Sequence, residues 1–146
     1  MSDIKLTWPN ARRCMDGVFS AGMPTEANIR EAAQAGIRTV VDLCGEGEAG
    51  WDEESAVEDA GMNYVHIPVC GPQDVCESRA RELDEVLNDA DLRPMVIHCG
   101  SGNRVGALVA MREFHCVGGD AETAVSKGRD AGLLGLEPHV RKCLNG

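Results

Sequence analysis

The stretch VIHCGSGNRVGAL, Val96 to Leu108, decides how this chain folds. It runs from the apolar segment "PMVIHC" into a loop broken by Gly100 and Gly102, and then into a helix-like segment, Val105 to Met111, that is apolar on nearly every side. A short apolar run bounded by glycines reads as a buried strand, and a helix apolar around its circumference must itself be buried. A buried strand, a tight loop and a buried helix form the repeating unit of a parallel sheet covered on both faces.

The same alternation extends outward in both directions. "GVFSAGMP" reads as a strand and turn, and "TEANIREAAQAG" as a helix with Thr25 as N-cap and Gly36 as its terminating glycine. "IRTVVDL" is a strand and "DEESAVEDAG" a short helix. "MNYVHIPV" is a further strand, and "VCESRARELDEVLNDA" a longer helix with Ala80, Leu83, Val86, Leu87 and Ala90 on one stripe. Beyond Gly118-Gly119, a helix from Asp120 to about Ala131 and a short one after Pro138 complete the pattern. The expected fold class is α/β: a single three-layer domain over residues 1–146, with a mostly parallel central sheet flanked by helices. Sites in such sheets form beyond the carboxyl ends of the strands. The loops 44–51, 68–75 and 99–104 leave those ends, carrying Cys44, Asp74, and Cys99 with Arg104.

The 99–104 loop is built to hold an anion. Gly100, Ser101, Gly102 and Asn103 fill the interval, and the two glycines permit turns that bring successive amide N–H groups inward. A helix N-terminus contributes partial positive charge at the same point, and Arg104 offers a planar fork that matches a tetrahedral oxyanion. An ordinary thiol is only about 3% thiolate at pH 7. A helix end, amide donors and a guanidinium all favour the ionised form. Cys99 beneath a bound oxyanion is then a nucleophile aimed at phosphorus or sulfur.

At these residues the chain resembles the cysteine-dependent, dual-specificity-like phosphatase superfamily. More narrowly, it is similar to a small bacterial phosphatase-like family related to the domain found beside beta-lactamase-like hydrolases. "SAGMPTEANIREAAQAGIRTVVDL", "NYVHIPVCGP", "VIHCGSGNRVGAL" and "GRDAGLLGLEP" carry the resemblance, in that order. It implies a phosphatase-like fold and a two-step hydrolysis of a phosphate monoester. Cys99 would form a phosphocysteine, and Arg104 with the amides of Gly100, Ser101, Gly102 and Asn103 would hold the transferring group. An aspartate on another loop would serve as acid and then base, with Asp74, 25 residues before Cys99, as the candidate. His98 would fix the loop through hydrogen bonds without touching substrate. This chemistry calls for no cofactor.

Two departures keep other readings open. Four residues separate Cys99 from Arg104 where phosphatases of this type have five, and Val105 stands where a hydroxyl residue normally assists the leaving thiolate. The shorter loop resembles that of rhodanese-like sulfurtransferases, in which the cysteine carries a persulfide. A non-catalytic oxyanion-binding module is the third reading.

Charge and cysteine usage narrow the partners. Residues 39–78 hold ten acidic residues and no Lys or Arg, and the net charge is −10. Nucleic-acid binding, which needs basic surface, is not expected. The acidity favours a small phosphorylated or sulfur-containing anion, or a phosphoprotein, over a large polyanion. No apolar run is long enough for a membrane, and no secretory leader is visible, so a cytoplasmic protein with reduced thiols is expected. Cys44 ends a strand on the same sheet edge as Cys99 and is a candidate redox partner, with Cys70 and Cys76 next. No metal site is expected, because His98 and Cys99 are adjacent strand residues that point to opposite faces.

Overall fold

The computed structural model describes residues 4–145. Among them five strands and six α-helices form a three-layer α/β fold. The strands are β1 (Arg12–Met15), β2 (Val18–Ala21), β3 (Thr39–Asp42), β4 (Asn63–His66) and β5 (Met95–His98), and their order across the sheet is β1-β2-β5-β3-β4. β2, β5, β3 and β4 run parallel, while β1 joins β2 as an antiparallel edge. β2, β3 and β5 are buried at all four positions, which is why they read as unbroken apolar runs.

The helices are α1 (Glu26–Ala35), α2 (Glu53–Asp59), α3 (Glu77–Leu87), α4 (Asn103–Arg112), α5 (Ala121–Asp130) and α6 (Glu137–Asn145). Alternate strand residues divide the core. Phe19, Val40 and Val96 pack with Trp8, Ile29 and Val57 beneath α1 and α2. Val18, Val41, Ile97 and Cys99 pack with Leu83, Leu108 and Val125 beneath α3, α4 and α5. The expected capping holds: Thr25 accepts from the Asn28 amide, and Gly36 closes α1 at φ 102°.

Three local expectations are revised. β1 is an additional strand, hidden in the sequence by Arg12 and Arg13; charged residues suit an exposed edge. α3 stops at Leu87, and Ala90 is exposed in a separate single turn, because the Asp89 side chain caps that turn instead of continuing the helix. α4 continues into one wide turn, Glu113–Val117, before Gly118 ends it.

α4 packs on α5 with almost no space between the backbones. A Cβ on Gly106 would lie 2.0 Å from the Leu133 nitrogen, and one on Gly128 would lie 2.7 Å from the Gly106 carbonyl oxygen. Gly132, at φ 111°, similarly meets the Gly102 carbonyl at 2.7 Å. Only glycine permits backbone approach this close.

Candidate active site

The register of β5 beside β3 pairs Asp42 with His98, so the loops leaving both strands emerge side by side. The loop after β5 turns over Cys99, whose side chain is fully buried. Gly102, at φ 100°, points its N–H at Cys99 Sγ, 3.0 Å away, and forms the N-cap of α4. The sulfur thus sits at a helix N-terminus with an amide directed at it, a setting that stabilises negative charge.

Arg104 stands at the first turn of α4 with its side chain 19% exposed. Its Nη1 donates to Glu48 Oε1 at 2.9 Å and to the Val69 carbonyl at 2.9 Å, and its Nη2 pairs with Glu48 Oε2. Glu48 Oε1 also accepts the Gly45 N–H at 2.9 Å. The guanidinium therefore ties together the loops after β3, β4 and β5. The Arg104 pairing holds the Glu48 carboxyl down at about 2, well below the ordinary 4.5, and raises the affinity of Arg104 for its own proton. Glu48 is the functional residue that sequence reasoning missed. It is one of ten carboxylates in an acidic run, and nothing local distinguishes it.

The remaining expected residues fall in distinct places. The Asn103 side chain is committed elsewhere: its Oδ1 accepts the N–H groups of Leu134 and Leu136 at 2.8 and 3.3 Å. Ser101 and Gly100 are exposed at the loop crest, where their carbonyls accept from Asn10 Nδ2 and the Met23 N–H. Val105 is fully buried in the core.

Asp74 lies in the loop after β4, and β3 stands between β4 and β5. Its Oδ2 accepts the Cys70 N–H at 2.9 Å, within its own loop. The loop itself reaches the site through Val69.

His98 is also placed differently. Its ring is fully buried on the α1–α2 face, edge-on to Trp8 at 5.7 Å, and Nε2 meets Glu53 Oε2 at 2.5 Å. It anchors β5 to α2 instead of bonding the loop amides. Cys44 is buried at the end of β3, and all seven cysteines are free thiols. Burial, reinforced by Asp42 and Glu48, pushes the Cys44 thiol far up. An Asp42 carboxylate oxygen, Cys44 Sγ and a His98 ring nitrogen lie within 4.8 Å of one another, a grouping the sequence reading had not assembled.

The chain is 30% identical over 108 residues to the Beta-lactamase hydrolase-like protein of Agrobacterium fabrum, matching 70% of this chain and 25% of that protein. It is 29% identical over 101 residues to Inositol diphosphatase DSP2 of Oryza sativa subsp. japonica, matching 64% of this chain and 48% of that one. The chain thus spans a quarter to a half of the length of these relatives. Its fold superposes on the crystal structure of Tk-PTP in the active form with a TM-score of 0.71 at 20% identity, covering 95% of this chain and 99% of the other. No helix among the described residues is long and apolar enough to cross a membrane. Residues 13–132 match the family model described as "DSP-PTPase phosphatase fused to NAD+ Kinase", and the chain belongs to this family of cysteine-based phosphatases.

Proposed function

We propose that the chain hydrolyses a phosphate monoester through a phosphocysteine on Cys99. Cys99 Sγ attacks phosphorus as the ester P–O bond breaks, and the leaving oxygen takes a proton from Asp74. Water then attacks the phosphocysteine, Asp74 takes back a proton, the S–P bond breaks, and inorganic phosphate leaves. The amides of residues 100–103 and the Arg104 guanidinium bind the equatorial oxygens in both steps. The single observation that carries this reading is the Gly102 N–H directed at Cys99 Sγ at 3.0 Å, with Arg104 on the same loop.

The substrate proposed is a monoester of low total charge. The rice relative is named an inositol diphosphatase. Here the acidic stretch 39–78, including Glu48 at the loop itself, opposes a densely phosphorylated ring. An aryl phosphate or a phosphotyrosyl side chain fits better.

The four-residue interval between Cys99 and Arg104 and the buried Val105 favour one second reading, transfer of a sulfane sulfur through a persulfide on Cys99. One experiment separates the two. The protein is incubated with an aryl phosphate or with thiosulfate, and its intact mass is followed. Phosphate release with a trapped phosphocysteine, abolished in Cys99→Ser, supports the phosphatase. A gain of one sulfur on Cys99 without phosphate release supports sulfur transfer. Neither outcome, with anion binding retained, reduces the loop to a binding module.

A further inference from the structure

On the face of the sheet opposite the Cys99 side chain, four chemically capable groups converge from β3, β5 and α2. Asp42 and His98 are register partners on adjacent strands, and Asp42 Oδ1 lies 3.6 Å from His98 Nε2. A tetrahedral ion with bonds of about 2.1 Å holds its ligands roughly 3.4 Å apart. Cys44 Sγ completes a triad within 4.8 Å, so a contraction on the order of 1 Å brings three ligand atoms to bonding distance.

The fourth group is Glu53, in the first turn of α2 and only 3% exposed. Its Oε2 is on His98 Nε2, while its Oε1 is buried with no hydrogen-bond partner. A buried carboxylate oxygen without a partner is costly, and such atoms mark places where an ion or another group belongs. The surrounding charge has the same sign. A cleft of about 540 Å³ opens onto the site, lined by Asp42, Glu46, Asp52, Glu53, Glu54 and His66 among others. No Lys or Arg occurs between residues 39 and 78 to balance it, and the Arg104 guanidinium is engaged by Glu48. Asp42 is held by its own supporting contacts: Asp42 Oδ2 accepts the Tyr64 hydroxyl at 2.7 Å, and Asp42 Oδ1 accepts the Cys44 N–H at 2.8 Å, while His98 Nδ1 is buried without a partner.

We propose that Asp42, Cys44, His98 and Glu53 form a binding site for a tetrahedral divalent transition metal of the zinc class. On binding, the Cys44 S–H bond breaks, its proton goes to solvent, and a metal–sulfur bond forms. The His98 ring proton moves from Nε2, where it bridges to Glu53 Oε2, to Nδ1, so that the bare Nε2 bonds the metal, and Glu53 turns an oxygen to the ion. The mixed sulfur, nitrogen and oxygen set suits Zn²⁺ and disfavours Mg²⁺ or Ca²⁺. The ion would cross-link β3, β5 and α2 behind the Cys99 loop, without contact to Cys99. The proposal does not depend on the phosphatase reading.

The test uses the full chain carrying Cys99→Ser, which removes the competing sulfur of the loop. Titration with Co²⁺ is expected to give one equivalent of tetrahedral ligand-field bands with a sulfur-to-cobalt charge-transfer band. Adding Cys44→Ser should remove that band and weaken binding roughly 100-fold. Bands that persist in the double variant, or Co²⁺ spectra of six-coordinate type, overturn the proposal. Zn K-edge X-ray absorption on the Zn²⁺-loaded Cys99→Ser protein needs no second substitution. One sulfur with nitrogen and oxygen ligands supports the site; no sulfur, or two or more, overturns it. Affinity should also rise with pH, because binding releases a proton.

Discussion

Arg104 grips Glu48 end-on, through both terminal nitrogens of its guanidinium, and among the described contacts its Nε makes none. One edge of the fork is thus occupied by the protein, and the side edge, Nε with Nη2, remains for an oxyanion. Glu48 acts as a positioning residue. A guanidinium held at one edge does not have to be ordered again when substrate arrives.

Replacing Glu48 by Gln should therefore lower kcat/KM for an aryl phosphate by roughly tenfold, through orientation rather than through lost substrate contacts. The same variant tests the linkage. Glu48 titrates lower in the folded chain, at about 2, than in the unfolded chain, near 4.5. The pair's stabilisation is complete above the unfolded value and disappears as pH falls toward 2. The pair is partly exposed, so its contribution is about 1 kcal/mol or less. The difference in urea midpoint between the parent and Glu48→Gln should be constant above about pH 5 and shrink steadily below pH 4.5.

Arg104→Lys keeps the charge but loses the fork. Lysine cannot hold the Val69 carbonyl, Glu48 and an oxyanion in one plane. The expected loss in kcat is roughly 10²–10³-fold, read from steady-state aryl phosphate hydrolysis.

Asp74→Asn removes the proposed acid without disturbing the loop, since an amide oxygen can still accept from the Cys70 N–H. For a substrate with a poor leaving group, kcat should fall by about 10²-fold or more. For one with an activated leaving group the loss should be small. Equal effects on both substrates would remove Asp74 from the mechanism.

Gly106→Ala drives a methyl group into the Leu133 backbone, 2.0 Å from its nitrogen. Overpacking of this kind costs about 1–3 kcal/mol. For a chain of this size the thermal midpoint should drop by roughly 3–10 °C, measured by circular dichroism.

The loop from Cys99 to Arg104 was legible because a short apolar run, two glycines and a buried helix leave little choice of fold. The loops 44–51 and 68–75 were placed on the correct sheet edge by the same alternation. The strand order was not legible, and it explains what was missed. Only because β5 lies beside β3 does Glu48 reach Arg104, 56 positions away, and Glu53 reach His98, 45 positions away. The same strand order sets β3 between β5 and the strand that leads to the Asp74 loop. β1 escaped notice because an exposed antiparallel edge tolerates arginines that a central strand does not.

Gly102, Gly106, Gly128 and Gly132 press α4 and its leading loop directly onto the segment that joins α5 to α6. The amide nest is therefore cast against a hard backing: nothing bulkier than hydrogen fits behind it, and Asn103 fastens its rim to the same segment. The front of the nest meets the two neighbouring loops through Glu48 and Val69. A descendant of this chain that acquires a new substrate would have to rewrite those front loops, because its rear mould admits no revision.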